Sequence, residues 1–307
     1  MIKKILHLIY IVLIFISYSQ ILHIPIKNKE STSNYFLNNI CQMFMYIYTF
    51  GFDSNVYLTG DIIKSKKIDI FIINHINYLD FLISGFMISK ISNECIGLYS
   101  NYIEKLPLIG RIFKNSSNIA LNKKIEDDKE NILQHLKNVD NTLICLYPEG
   151  TRISSKKIFK SQKYSKENNL HIYDNLLYPK MKGLYTIITE LHKQNKLGNI
   201  IDCTIKIEGL NIDNTKILDF LKNDLKNTYI NVKTYKARYF DNYNDFKRWF
   251  IQIWDIKEDY LNNYNDFEKY KYKKLDSNIK TSNIILTNLV VFIFLYVSYF
   301  QVRSVVS

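Results

Sequence analysis

The sequence predicts an α/β domain with a mixed, mostly parallel sheet flanked by helices. Three observations carry that reading. Short apolar runs rich in β-branched residues recur through the middle of the chain, an amphipathic stretch separates two of them, and long apolar segments stand at both ends. The first end segment, residues 5–26, is close to the ~20 residues that cross a bilayer as a helix. Residues 35–52 are a weaker candidate for a second pass or an interfacial helix, because Asn38, Asn39 and Gln42 interrupt them. A secretory signal is the competing reading of the N-terminus, since Lys3 and Lys4 precede the apolar run and Ser17 and Ser19 resemble a cleavage site.

Residues 68–73 form a short run, apolar but for Asp69 and rich in β-branched residues, as expected of a buried strand, and a helix is expected from about Tyr78. Further strands are expected at 95–99, 118–121, 142–147 and 199–207. Between two of them, residues 125–139 carry Ile125, Ile132, Leu133 and Leu136 on one helical face, with charges elsewhere. The last segment, 284–302, reads as a transmembrane helix broken only by uncharged polar residues. Lys271, Lys273, Lys274 and Lys280 precede it and only Arg303 follows, so the positive-inside rule puts the central domain on the cytosolic side. The expected organisation is an N-terminal membrane-anchoring region at 1–52, a central domain at 53–275 and a C-terminal transmembrane segment at 276–307.

The chain has 307 residues, 47% of them hydrophobic, which is enough for a real core and excludes a disordered chain. Its formal charge of +12, from 41 Lys and Arg against 29 Asp and Glu, fits nucleic acid or anionic lipid. No nucleic-acid-binding motif accompanies the charge, so no nucleic-acid partner is expected. Cys41, Cys95, Cys145 and Cys203 are scattered without CxxC spacing, which points to packed thiols and no metal centre.

At the end of the strand expected at 68–73 stands Asn74-His75-Ile76-Asn77-Tyr78-Leu79-Asp80. If the chain turns there from strand into helix, the Asp80 carboxylate can reach back to His75 Nδ1 and leave Nε2 free to take a proton. His135 and Asp140 repeat the spacing at the end of a Lys-rich amphipathic helix, where a solvated face is the better reading. A second motif, Tyr147-Pro148-Glu149-Gly150-Thr151-Arg152, follows the strand expected at 142–147. Its glycine lets a ligand approach the backbone and its arginine offers paired donors to a phosphate; Glu149 could anchor Arg152 or bond a ligand hydroxyl. A turn with a surface ion pair is the alternative for this motif alone.

Together, Asn74-His75-x4-Asp80 and Pro148-Glu149-Gly150-Thr151-Arg152 resemble the glycerolipid acyltransferase family that includes 1-acylglycerol-3-phosphate acyltransferases. Leu106-Pro107-Leu108-Ile109-Gly110 resembles the family's intermediate block, and Ser161-Gln162-Lys163 and residues 176–183 its later blocks. The Leu-Leu-x-Pro-Lys-x-Lys-Gly form is most similar to the lysocardiolipin acyltransferase-like branch. The resemblance implies the glycerolipid acyltransferase fold, His75 as general base and Asp80 as its orienter, with Glu149, Gly150, Thr151 and Arg152 binding the acceptor. It also implies that Gly110 helps to build the acceptor site. Many relatives carry an arginine where this chain has Asn122-Lys123-Lys124, so either a neighbouring lysine, Lys123, supplies that charge or the acceptor differs.

The implied reaction esterifies a lysophospholipid hydroxyl from an acyl-CoA co-substrate, without a cofactor or metal. The expected partners are the lysophospholipid, acyl-CoA and the lipid bilayer. The expected location is a membrane, the endoplasmic reticulum, with the catalytic domain facing the cytosol. An inactive membrane scaffold of the same fold is the non-enzyme alternative.

Overall fold

The computed structural model describes residues 2–23, 25–51, 54–92, 95–107, 109–122, 125–213, 226–236, 238–275 and 281–306. Eight strands are described: β1 (Asn55–Gly60), β2 (Ile68–Ile73), β3 (Cys95–Ser100), β4 (Ile119–Leu121), β5 (Leu143–Leu146), β6 (Leu197–Ile207), β7 (Asn227–Tyr235) and β8 (Lys273–Lys274). They form one sheet in the order β4-β3-β5-β2-β6-β7-β1-β8. Pairing is parallel except for β6 with β7 and β1 with β8, so the sheet is mixed and mostly parallel, as expected.

Strand β2 lies in the interior with β5 on one side and β6 on the other, and all six of its residues are buried. Because successive side chains point to opposite faces, β2 feeds two cores. Phe71 and Ile73 join α3 (Tyr78–Ile91) and α2 (Lys29–Tyr46), through Ile83, Phe86, Phe44 and Met45. Ile68, Ile70 and Ile72 join α7 (Met181–Lys193) and α8 (Tyr243–Asn263), through Leu184, Ile188, Phe250 and Trp254. The two-faced burial is what so apolar a run dictates, and its one charged residue, Asp69, is buried with its carboxylate accepting from Ser65 and from the Asn199 N–H. Helices α5 (Ile125–Lys137) and α6 (Ser155–Glu167) follow β4 and β5, and a short α9 (Phe267–Tyr270) precedes β8.

A third core joins α1 (Ile2–Ile21), α2, α4 (Ile109–Lys114) and α10 (Thr281–Val306), through Ile14, Tyr18, Phe36, Ile112, Phe113 and Val291. Among the described residues no helix is long and apolar enough to cross a membrane, so the transmembrane span expected at 284–302 is not confirmed. The polar residues that interrupt the apolar runs have a packing role instead. Thr287 of α10 donates to Asn39 of α2 (2.8 Å) and meets Tyr18 of α1 (3.0 Å), and Asn283 donates to Gln42 (3.1 Å). Residues 35–51 of the weak segment belong to α2 and a π-helical turn at Ile47–Gly51, with Met45 and Tyr48 fully buried, and Phe52 lies outside the described residues. Leu6, Ile9 and Val12 of α1 and Ile285, Leu289, Phe292 and Ile293 of α10 remain exposed.

Candidate active site

At the carboxyl end of β2 the backbone leaves the sheet, and a side chain replaces the missing rung. The Asn74 amide donates to the Ile205 carbonyl (2.9 Å) and accepts from the Ile205 N–H (2.8 Å), imitating a peptide group paired with β6. The ladder is therefore satisfied while the chain turns at His75. Three residues later α3 begins. Asn77 caps it by accepting from the Leu79 N–H, and the Asp80 carboxylate accepts from the Asn77 N–H (3.0 Å), completing a capping box.

The same Asp80 oxygen meets His75 Nδ1 at 2.9 Å, so the cap that starts the helix also orients the imidazole. Asp80 is fully buried, whereas His75 retains 24% of its side-chain exposure. Nδ1 donates to the carboxylate, which leaves Nε2 as the acceptor nitrogen; no hydrogen bond reaches it among the described residues. Tyr147 packs over the ring with centroids 4.5 Å apart, and Ser84 on the next turn of α3 holds its hydroxyl at 3.1 Å. Burial pushes the Tyr147 phenol well above its usual value, so it stays protonated at neutral pH.

The loop after β5 meets this turn because β5 and β2 are parallel neighbours ending at the same edge. Glu149 is buried and its oxygens have separate internal partners. Oε1 accepts from the His75 backbone N–H (2.7 Å) and Oε2 from the Leu177 N–H (3.1 Å). The Ile153 N–H in turn donates to the His75 carbonyl (2.8 Å). Glu149 thus ties three segments together from inside. Burial pushes it up to about 8, against the lowering effect of the two N–H bonds and of the Lys257 charge.

Gly150 adopts φ +66, a conformation that favours glycine, with the Lys180 side chain 3.0 Å from where a Cβ would stand. Lys157 donates to Thr151 Oγ1 (2.6 Å) and to the Arg152 carbonyl (2.8 Å). Partial burial and the charges of Arg152 and Lys180 lower Lys157, so the three cations sit close enough to repel. Such a cluster is suited to an anion. Neither Lys157 nor the Tyr147 ring stands out in the sequence, since Lys157 is one of several lysines on α6 and the stacking needs β5 beside β2.

Gly110 is buried in α4, where a Cβ would come within 2.3 Å of the Glu104 carbonyl oxygen; it permits close packing against the 3₁₀ turn Asn101–Lys105. Asn122 accepts from the Asn101 amide (2.7 Å) and its N–H donates to Asp128. Lys123 and Lys124 lie outside the described residues. The decoy pair stays apart: Asp140 is bonded to Lys196 (3.0 Å), while His135 sits in the last turn of α5.

Residues 55–207, from β1 to the end of β6, match the family model described as Acyltransferase. The chain is 27% identical over 161 residues to lysocardiolipin acyltransferase 1 of Gallus gallus, covering 50% of this chain and 42% of that protein. It is 29% identical over 159 residues to the probable 1-acyl-sn-glycerol-3-phosphate acyltransferase 5 of Arabidopsis thaliana, covering 50% and 42%. The match therefore spans less than half the length of these curated relatives. The crystal structure of the 1-acyl-sn-glycerophosphate (LPA) acyltransferase PlsC from Thermotoga maritima has the same fold, with a TM-score of 0.52 over 86% of this chain and 98% of that one at 13% identity. With the turn at His75 and the loop at Gly150 both inside the matched region, the chain belongs to the acyltransferase family.

Proposed function

We propose that the protein transfers an acyl group from an acyl-CoA thioester to the free hydroxyl of a lysophospholipid, 1-acylglycerol-3-phosphate giving phosphatidic acid. The observation that carries this reading is the His75 Nδ1 to Asp80 contact of 2.9 Å with Nε2 left open. His75 Nε2 takes the hydroxyl proton while the oxygen attacks the thioester carbonyl. Such a positioned base is worth about 10² to 10⁴ in rate. The tetrahedral intermediate collapses by breaking the carbon–sulfur bond, and the thiolate of coenzyme A takes the proton back from His75. Asp80 holds the tautomer and stabilises the imidazolium that forms between the two steps.

In this reading Arg152, with Lys157 and Lys180 beside it, receives the acceptor's phosphate, and Gly150 lets it approach the backbone. Glu149 is a positioning residue that fixes the backbone of His75. The exposed apolar residues of α1 and α10 support a bilayer as the platform, with residues 1–52 and 276–307 holding the domain at 53–275 against the cytosolic face of the endoplasmic reticulum. The names of two relatives favour a second acceptor class. One is the lysocardiolipin acyltransferase 1 of Gallus gallus, and the other is lysophosphatidylinositol acyltransferase 10 of Caenorhabditis elegans, 27% identical over 159 residues.

Incubating membranes that contain the full chain with labelled acyl-CoA and a panel of lysophospholipids tests the proposal. Labelled phosphatidic acid from 1-acylglycerol-3-phosphate is expected. Product from lysocardiolipin or lysophosphatidylinositol alone moves the assignment to the second class, and no His75-dependent product from any acceptor refutes transfer.

A further inference from the structure

Away from the loop at Gly150, an open cleft of about 500 Å³ lies between the end of α1, the start of α2 and α4. Three cations line it: Lys29 at the first residue of α2, and Arg111 and Lys114 on one face of α4. The opposite face of α4, Ile112 and Phe113, is buried in the third core, where Phe113 meets Phe81 of α3 with ring centroids 5.5 Å apart. The helix therefore stands between the cleft and the residue that follows Asp80. Facing the cations is one carboxylate, Glu104, which already accepts from the Tyr99 hydroxyl at 3.1 Å.

None of the ion pairs among the described residues uses Lys29, Arg111 or Lys114. Arg111 Nη1 is buried with no hydrogen-bond partner among the described residues. A buried guanidinium nitrogen without an acceptor is costly, and three like charges around one cleft raise that cost. Lys29 also sits at a helix N-terminus, the wrong end of the macrodipole for a cation. Glu30, the acidic residue of that first turn, is exposed and does not line the cleft. An anion in the cleft offsets the repulsion among the three cations and the placement of Lys29 at a helix N-terminus.

We infer that this cleft is a second phosphate-binding site, which takes the phosphate ester of a small amphiphilic ligand through Arg111, Lys114 and Lys29. Guanidinium offers paired donors that match phosphate oxygens, and two ammonium groups supply the remaining charge. Leu22 and Leu106 give the cleft an apolar wall, suited to the glycerol and first carbons of a lipid head group. The same phosphate chemistry is carried by coenzyme A, and the experiment separates the two.

The full chain is prepared with His75→Ala and Arg152→Ala, so that nothing turns over, the cluster at Gly150 is weakened as a competing phosphate site, and binding is read whether or not the catalytic proposal holds. It is titrated with 1-hexanoylglycerol 3-phosphate, with coenzyme A, and with uncharged 1-hexanoylglycerol as control. Adding Arg111→Gln and Lys114→Gln is expected to raise the Kd of a phosphate-bearing probe at least tenfold and to leave the neutral probe unchanged. A loss confined to the lipid probe assigns the site to a head group; a loss confined to coenzyme A assigns it to the acyl donor. Arg111→Lys should retain more affinity than Arg111→Gln. If the double variant melts early, Lys29→Gln, at a half-buried surface position, gives the same readout with a smaller shift. Unchanged affinity for both phosphate probes in a folded variant, or equal loss for the neutral one, overturns the inference.

Discussion

Two places in this chain have a histidine followed five residues later by an aspartate, and they share nothing else. At His75 the spacing straddles the change from β2 to α3, and the carboxylate that caps the helix returns to the ring at 2.9 Å. At His135 it straddles the end of α5, and Asp140 turns outward to Lys196 with most of its side chain in water. An aspartate in the first turn of a helix is held by backbone donors and aimed back along the chain. Beyond a helix C-terminus it has no such donors. Chemistry thus depends on which end of a helix the motif meets, and spacing alone is silent on that.

The sharpest way to break the comparison is to delete each ring. His75→Ala is expected to lower acyl transfer by at least 10²-fold and up to about 10⁴-fold, while His135→Ala leaves it within error, measured as kcat with labelled acyl-CoA. Equal losses with folding intact would end the assignment.

Next in size are the aspartates. Only one Asp80 oxygen is bonded, to both Asn77 N–H and His75 Nδ1; the other is buried without a partner among the described residues. An asparagine can therefore keep its carbonyl oxygen toward both donors and bury its NH₂ on the vacant side. The tautomer survives, but the charge opposite the imidazolium does not. Asp80→Asn is expected to cost on the order of 10² in kcat, together with roughly 1–2 kcal/mol of stability for the orphaned amide. Asp140→Asn should leave kcat unchanged and cost under about 1 kcal/mol, as for any exposed ion pair. Chemical denaturation and kinetics on the four variants check both halves.

The smallest effect tests the link from the turn to the loop after β5. Burial raises Glu149 from 4.5 to about 8, so between those values the folded protein holds a proton that the unfolded chain releases. Its contribution is then fully present below pH 4.5, declines as pH rises, and levels off above pH 8. Glu149→Gln should remove that slope, making the variant's stability relative to the parent rise between pH 5 and 8. A difference that is flat across this range would show that the carboxyl is ionised throughout.

The central strands were legible because burial on both faces writes apolar runs, unbroken in β5 and broken in β2 only by Asp69. Strand β7, Asn-Thr-Tyr-Ile-Asn-Val-Lys-Thr-Tyr, was not, because asparagine, lysine and threonine break the pattern while Thr228, Ile230 and Val232 still face inward. At the apolar ends the sequence shows Thr287 and Asn39 only as interruptions; that they bond to each other takes the packing of α10 on α2 to see. In the site, His75 and Asp80 were legible because five residues suffice to bring them together. Glu149 was readable as a motif member but not as a buried strut, since its partners at His75 and Leu177 lie far off in sequence.

That strut also bears on how the molecule assembles. Glu149 closes a loop of 74 residues when it reaches the His75 amide, and the Ile153 amide closes a slightly longer one on the His75 carbonyl. Contacts of such separation carry a large loop-closure entropy and form after local turns and helices are in place. Strand β5 must also seat between β3 and β2 before either bond is possible. The turn at His75 can start α3 early, but its backbone is pinned only once the middle of the sheet has closed. The geometry around His75 thus arises with the completed fold and not before it.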